Sequence, residues 1–189
     1  MADYTLTATP PLAGVDRSFG DLSLKAPADL ALVSIALPLG AEDKVLKAIK
    51  TAYGAELPDA GKSVLSKDGT VRLVRLGADQ AMVIFTHATP DAEPTVQAKL
   101  KGTAYTTDQT DVWVGLELSG PTSRDALHRI CPLDIHPDAF AVNDSARTVM
   151  EHLGTLLIRT GDDTYLLLSA SSSAKSFLHA METSAQNIS

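Results

Sequence analysis

The chain predicts an α+β fold of two intertwined sheet-and-helix halves, and three observations carry that prediction. Apolar residues switch from an alternating to a helical period twice along its 189 residues. Two polar turns, Gly77-Ala78-Asp79-Gln80 and Thr160-Gly161-Asp162-Asp163, each separate a pair of apolar runs and so mark hairpins. Each half then reads strand, helix, hairpin, helix, an order that suits paired layers of sheet and helix. With 44% hydrophobic and 21% charged residues the chain can bury a core without staples or metals.

Residues 1–20 are rich in Thr, Pro and Gly around Pro10-Pro11, and read as an extended N-terminal arm. Tyr4, Leu6, Leu12 and Phe19 are unusual in a solvated tail, so the arm is expected to dock. A single α+β domain follows over 21–189, with halves at about 21–103 and 104–189. Ala31–Leu37 is a strand ended by Pro38. Glu42–Tyr53 carries Val45, Leu46, Ile49 and Tyr53 at helical spacing, and Gly54 stops that helix. Val71–Leu76 and Ala81–Phe85 form the first hairpin, and Asp91–Lys101 a second helix with Thr89 as its cap and Pro90 in its first turn. In the second half Val112–Leu118 is a strand, and Pro121 opens a helix over Thr122–Arg129 with Ala126, Leu127 and Ile130 inward. Leu153–Arg159 and Thr164–Leu168 form the second hairpin. Ser172–Met181 closes the chain as a helix with Ala174, Phe177 and Leu178 on the core.

Composition removes several function classes. Sixteen basic against 23 acidic residues give a formal charge of −7, with the basic residues scattered, which disfavours nucleic acid and anionic membrane surfaces as partners. Cys131 is the only cysteine, so neither an intrachain disulfide nor a CxxC metal pair can form. The start Met1-Ala2-Asp3-Tyr4 lacks the charged and apolar regions of a secretion signal, and apolar runs such as Leu30–Leu39 are too short to span a bilayer. A cytoplasmic location is expected.

Catalytic motifs are missing. No GxGxxG, GxxxxGK[ST], GxSxG or HExxH occurs, so no dinucleotide cradle, triphosphate loop, nucleophile elbow or zinc helix is visible. His128 and Cys131 are three residues apart and could pair as base and thiol, but a lone cysteine before Pro132 reads better as a small apolar filler. Asp108, Asp111, Asp134 and His136 could do acid–base work in a cleft, or serve as turn and cap residues. The histidines at 87, 128, 136, 152 and 179 lack ligand spacing. Ser171-Ser172-Ser173 reads as a helix entry, and Trp113 as core or interface. No catalytic, cofactor-binding or metal site is expected on this chain.

Thr107-Asp108-Gln109-Thr110-Asp111-Val112-Trp113-Val114-Gly115-Leu116-Glu117-Leu118-Ser119-Gly120-Pro121, then Arg124-Asp125-Ala126-Leu127 and Cys131-Pro132-Leu133-Asp134-Ile135-His136-Pro137, closely resemble the gamma subunit of heterotetrameric sarcosine oxidase. Leu73–Gln80, and Leu57-Pro58 before Gly61, also look like that family, and the resemblance runs from about residue 30 to 180. More distantly, an acidic residue leading into a strand, then Ser-Gly-Pro and a helix, is similar to folate-binding aminomethyltransferases such as the glycine-cleavage T-protein, of which the gamma subunit is a diminished relative. The resemblance implies a noncatalytic subunit of a complex that demethylates sarcosine oxidatively. It implies FAD, FMN, NAD and tetrahydrofolate on partner alpha, beta and delta subunits, mainly the large alpha subunit. Ser171-Ser172-Ser173 departs from the Arg-Ser pair common there, which leaves open a related oxidase for another N-methylated amine such as dimethylglycine. A stand-alone folate-binding protein of the aminomethyltransferase class and an unrelated small interaction protein remain the other readings. The expected partner interface comprises Trp113, Cys131, Pro132, Leu133, Asp134, Ile135, His136 and Pro137, together with the arm.

Overall fold

Strands whose two faces are both apolar must be covered on both sides, and this chain has several. In Leu153–Gly161, Leu156 and Ile158 point one way and Leu157 the other, and all are buried. In Leu30–Ala36, Ala31, Val33 and Ile35 oppose Leu32 in the same manner. The solution, in a computed structural model that describes residues 9–188, is two antiparallel sheets packed face to face with helices on the outer face of each.

The strands are β1 (Asp16–Phe19), β2 (Leu22–Lys25), β3 (Leu30–Ala36), β4 (Lys62–Leu65), β5 (Val71–Arg75), β6 (Gln80–Thr86), β7 (Tyr105–Asp108), β8 (Trp113–Ser119), β9 (Ser145–Met150), β10 (Leu153–Gly161) and β11 (Thr164–Ala170). The helices are α1 (Glu42–Tyr53), α2 (Ala92–Leu100), α3 (Ser123–His128) and α4 (Ala174–Gln186). One sheet runs β1-β2-β8-β11-β10-β9 and the other β4-β5-β6-β3-β7. Leu32, Val74, Met82 and Ile84 of the smaller sheet meet Leu156, Ile158, Leu166 and Leu168 of the larger between them. α1 and α2 cover the outer face of the smaller sheet through Val45, Ile49, Val96 and Leu100. Leu127, Phe177 and Met181 of α3 and α4 cover the larger.

Both hairpins form where the turn residues place them, and Gly54 ends α1 in the left-handed conformation at φ 65°, its N–H donating to the Lys50 carbonyl. Two expectations shift. α2 starts at Ala92 with Asp91 in the cap position, and the Thr89 hydroxyl donates to the Asp91 carboxylate instead of capping the helix. Ser171–Ser173 is a 3-10 turn, no serine side chain caps α4, and α4 runs on to Gln186. The halves exchange strands across the 103/104 boundary: β2 pairs with β8 in the larger sheet, and β7 pairs with β3 in the smaller. The described part of the 1–20 arm is held by the body of the protein, with Leu12 and Val15 in the core and Asp16–Phe19 paired to β2. Tyr4 and Leu6 lie outside the described residues.

One buried group at the C-terminal end of α1 yields a pH prediction. The Tyr53 hydroxyl is buried without a hydrogen-bond partner among the described residues, and burial pushes the phenol up to about 12. A folded-state value above the unfolded value of about 10 leaves its contribution intact below pH 10 and removes it as pH rises toward 12. Tyr53→Phe is expected to flatten this alkaline loss and, at pH 7, to match wild type or exceed it by up to about 1 kcal/mol, since it deletes an unpaired buried polar atom. Urea unfolding of both proteins at pH 7, 10 and 11.5 decides it, and a variant as alkali-sensitive as wild type counts against the assignment.

Candidate partner-binding site

Trp113 opens β8 just after a 3-10 turn, Thr110–Val112, that is tied down from three sides. The Asp108 carboxylate accepts the Thr110 N–H at 2.8 Å, the Gln109 N–H donates to the Leu32 carbonyl at 2.8 Å, and the Ser171 hydroxyl donates to the Asp111 carbonyl at 2.7 Å. Asp108 is thus the turn residue its type favours. Trp113 lies opposite Ala170 of β11 and packs against the core between the sheets. Its indole N–H is buried without an acceptor among the described residues.

Two hollows flank it. The larger, about 620 Å³, lies between Trp113, the Thr9–Asp16 segment and the link at 25–30. That link approaches closely because position 115 has no side chain; a Cβ on Gly115 would stand 2.6 Å from Leu30 Cδ2. The smaller, about 370 Å³, is a recess on the sheet face bounded by Trp113, Val112, Arg147, Thr148, Gly154 and Ala170.

The expected interface residues do not form one patch. Cys131 and Ile135 are buried in the core beneath α3 and α4, so neither can present its side chain to a partner. Pro132, Asp134 and His136 are exposed, while Leu133 and Pro137 are half-buried. The Asp134 carboxylate accepts the His136 N–H at 3.0 Å, which makes it a turn residue as well. Cys131, Leu133 and Ile135 belong to the helix-side core of the larger sheet, and Trp113 to its other face. Sequence reading missed Arg147, Gly154 and Ala170 at the recess. The available signal was a pair of small residues, Gly154 and Ala170, at the outer ends of two otherwise apolar strands.

The catalytic candidates stay apart. His128 is exposed whereas Cys131 is buried, its sulfur 3.9 Å from the Thr148 hydroxyl. Among the described residues no three His, Cys, Asp or Glu side chains gather as metal ligands. The pyrophosphate of a flavin or nicotinamide dinucleotide is commonly held by free amides at a helix start. No α-helix begins among the described residues lining the larger hollow, and Lys25 there meets Asp16 at 2.9 Å, so the hollow lacks that arrangement. Among the described residues no helix is long and apolar enough to cross a membrane.

Residues 39–186 match the model of the sarcosine oxidase, gamma subunit family. A sarcosine oxidase subunit gamma from Corynebacterium sp. (strain P-1) is 32% identical over 133 residues, 70% of this chain and 65% of the relative. One from Arthrobacter sp. is 32% identical over 122 residues, 64% of this chain and 60% of that one. The matched region thus spans somewhat less than two thirds of these relatives. In fold, the chain resembles a chain of the heterotetrameric sarcosine oxidase from Corynebacterium sp. U-96, with a TM-score of 0.80, 22% identity and 95% of both chains covered. It also resembles glycine cleavage system aminomethyltransferase T from Bartonella henselae, with a TM-score of 0.60 and 15% identity over 84% of this chain and 44% of that one. Two layered sheets, a chain-long likeness in fold and a family match over 39–186 agree: this chain belongs to the sarcosine oxidase gamma subunit family.

Proposed function

We propose that the chain is the noncatalytic gamma subunit of a heterotetrameric sarcosine oxidase and acts as a scaffold for the larger, flavin-bearing subunits. The family match over residues 39–186 carries this reading. In the proposed complex, sarcosine loses two electrons and two protons to oxygen through the flavins, giving hydrogen peroxide and a methylene imine. Tetrahydrofolate takes the methylene group and releases glycine; with water in its place, formaldehyde leaves. FAD, FMN, NAD and tetrahydrofolate are assigned to the partner subunits. This chain contributes surface to alpha, with beta and delta completing the assembly, and neither nucleic acid nor membrane is a partner. Permanent subunit interfaces bury roughly 2,000–5,000 Å² and are rich in apolar surface. Trp113 and the exposed Val112 and Val149 beside the recess supply candidate contacts.

Size-exclusion chromatography with absorbance detection tests this, with the chain expressed alone and then with the oxidase subunits encoded beside it. The expected result is a colourless, aggregation-prone chain that joins a yellow, sarcosine-oxidising assembly in fixed ratio. A clean monomer that ignores those subunits refutes it. The second reading, a stand-alone folate-binding protein, draws on the aminomethyltransferase-like fold and the 620 Å³ hollow. Stoichiometric tetrahydrofolate binding by the isolated chain would favour it.

A further inference from the structure

The larger sheet overhangs the smaller. Leu156 and Leu168 are buried between the sheets, yet the next positions outward on the same face, Gly154 and Ala170, are exposed. The strand registers set them in one row across four strands: Trp113 opposite Ala170, Ala170 beside Gly154, and Gly154 opposite Val149. Strands lie about 4.8 Å apart, so the row spans roughly 14 Å between its outer members, with two small residues as its floor. A Cβ placed on Gly154 would have nothing within 4 Å. Val112 and Val149 stand 50% and 46% exposed at the margins. A sheet face this apolar and this open is a place for another chain to rest.

The charges say which kind. Arg147, opposite Leu156 in the same register, lines the recess with an exposed guanidinium and no carboxylate or hydrogen-bond acceptor among the described residues. Trp113, the facing wall, holds an indole N–H that likewise lacks an acceptor. Both unanswered groups are donors, and one is cationic. The chain as a whole carries −7, so an acidic partner is repelled by most of its surface and is met by an unpaired cation here.

We infer that this recess docks an extended segment of a partner subunit, one that lays an apolar side chain on the Gly154–Ala170 floor and brings a neighbouring carboxylate to Arg147. The inference rests on the proposed subunit role for the existence of that partner, and adds where and by what chemistry the partner is held. The small floor lets a backbone approach closely, and the apolar contact supplies affinity while Arg147 fixes the register.

The test uses the full chain co-expressed with the neighbouring oxidase subunits. Gly154→Phe sets a ring on the floor, where an added Cβ meets nothing within 4 Å, and Arg147→Glu reverses the charge; thermal melts check that both fold as wild type. Each is expected to weaken association at least tenfold, the Arg147→Glu loss shrinking as salt rises, while Leu39→Ser at the remote, 98% exposed Leu39 leaves it unchanged. Assembly at wild-type affinity by both variants overturns the inference and leaves the subunit role standing. A free chain that dimerises, and is made monomeric by Gly154→Phe, overturns it in favour of a second copy. No association of the wild-type chain with the oxidase subunits overturns both.

Discussion

Gly120→Ala should destabilise the folded chain by about 3–5 kcal/mol, a large share of the roughly 5–15 kcal/mol that holds a domain together. Gly120 sits between β8 and α3 with φ at +126°, a conformation that residues with a Cβ rarely adopt. The space is also taken. A Cβ there would lie 2.2 Å from the Asp21 carbonyl oxygen and 3.1 Å from Leu22 Cα, both backbone atoms of the chain entering β2. Backbone strain of about 1–3 kcal/mol therefore adds to an overpacking cost of about 1–3 kcal/mol. Relief would require β2 to move away from β8, whose pairing runs through Ser23, Leu24 and Lys25. The melting temperature should fall on the order of 10 °C. Gly154→Ala is the matched control, with no positive φ and nothing within 4 Å of the added carbon. If the two alanine variants melt together, the close approach at Asp21 is not real.

Asn143→Leu is expected to cost a similar amount, about 3–5 kcal/mol, by a different route. Arg72 is buried on β5 with no carboxylate beside it among the described residues, and loss of water pulls its pKa down. Its guanidinium donates to the Ser63 hydroxyl at 2.8 Å and to the Asn143 side-chain oxygen at 2.9 Å. The segment that carries Asn143 stitches the two sheets together. The Asn143 carbonyl accepts the Ser63 N–H from β4, the Asn143 N–H donates to the Arg159 carbonyl on β10, and Lys62 meets Asp144 at 2.5 Å. Leucine at position 143 removes an acceptor from a buried cation, worth about 1.5–3 kcal/mol. It also places a branched side chain at φ +75°, which costs about 1–2 kcal/mol more. Asn143→Gly keeps the left-handed backbone and should lose only the first of these. In an Arg72→Met background, where no cation needs solvating, Asn143→Gly should cost markedly less. Equal costs in both backgrounds, measured by urea unfolding, would show that Arg72 and Asn143 are not coupled.

Much of this protein was legible in the chain because the relevant interactions are local. Apolar runs bounded by turns located β3, β5, β6, β8, β10 and β11, helical spacing located α1, α3 and α4, and the Thr89-Pro90 start signal located α2 although Thr89 does not cap it. The turns at 77–80 and 160–163, the helix stop at Gly54, and the backbone-bonding of Asp108 and Asp134 follow from side chains acting on their near neighbours. The family resemblance, too, lay in the order of residues.

What tertiary structure alone decided depends on partners distant in sequence. β1, β4 and β7 are four-residue strands with few apolar side chains, and pairing with neighbours makes them strands. The crossing of β2 and β7 between the halves is a matter of sheet order, which no local period encodes. Cys131 and Ile135 look like part of an exposed loop motif, yet packing under α3 and α4 puts them inside. The recess gathers Trp113, Arg147, Gly154 and Ala170 from four strands. A strand's period says which residues share a face, but only register and the reach of the opposing sheet say which part of that face stays open.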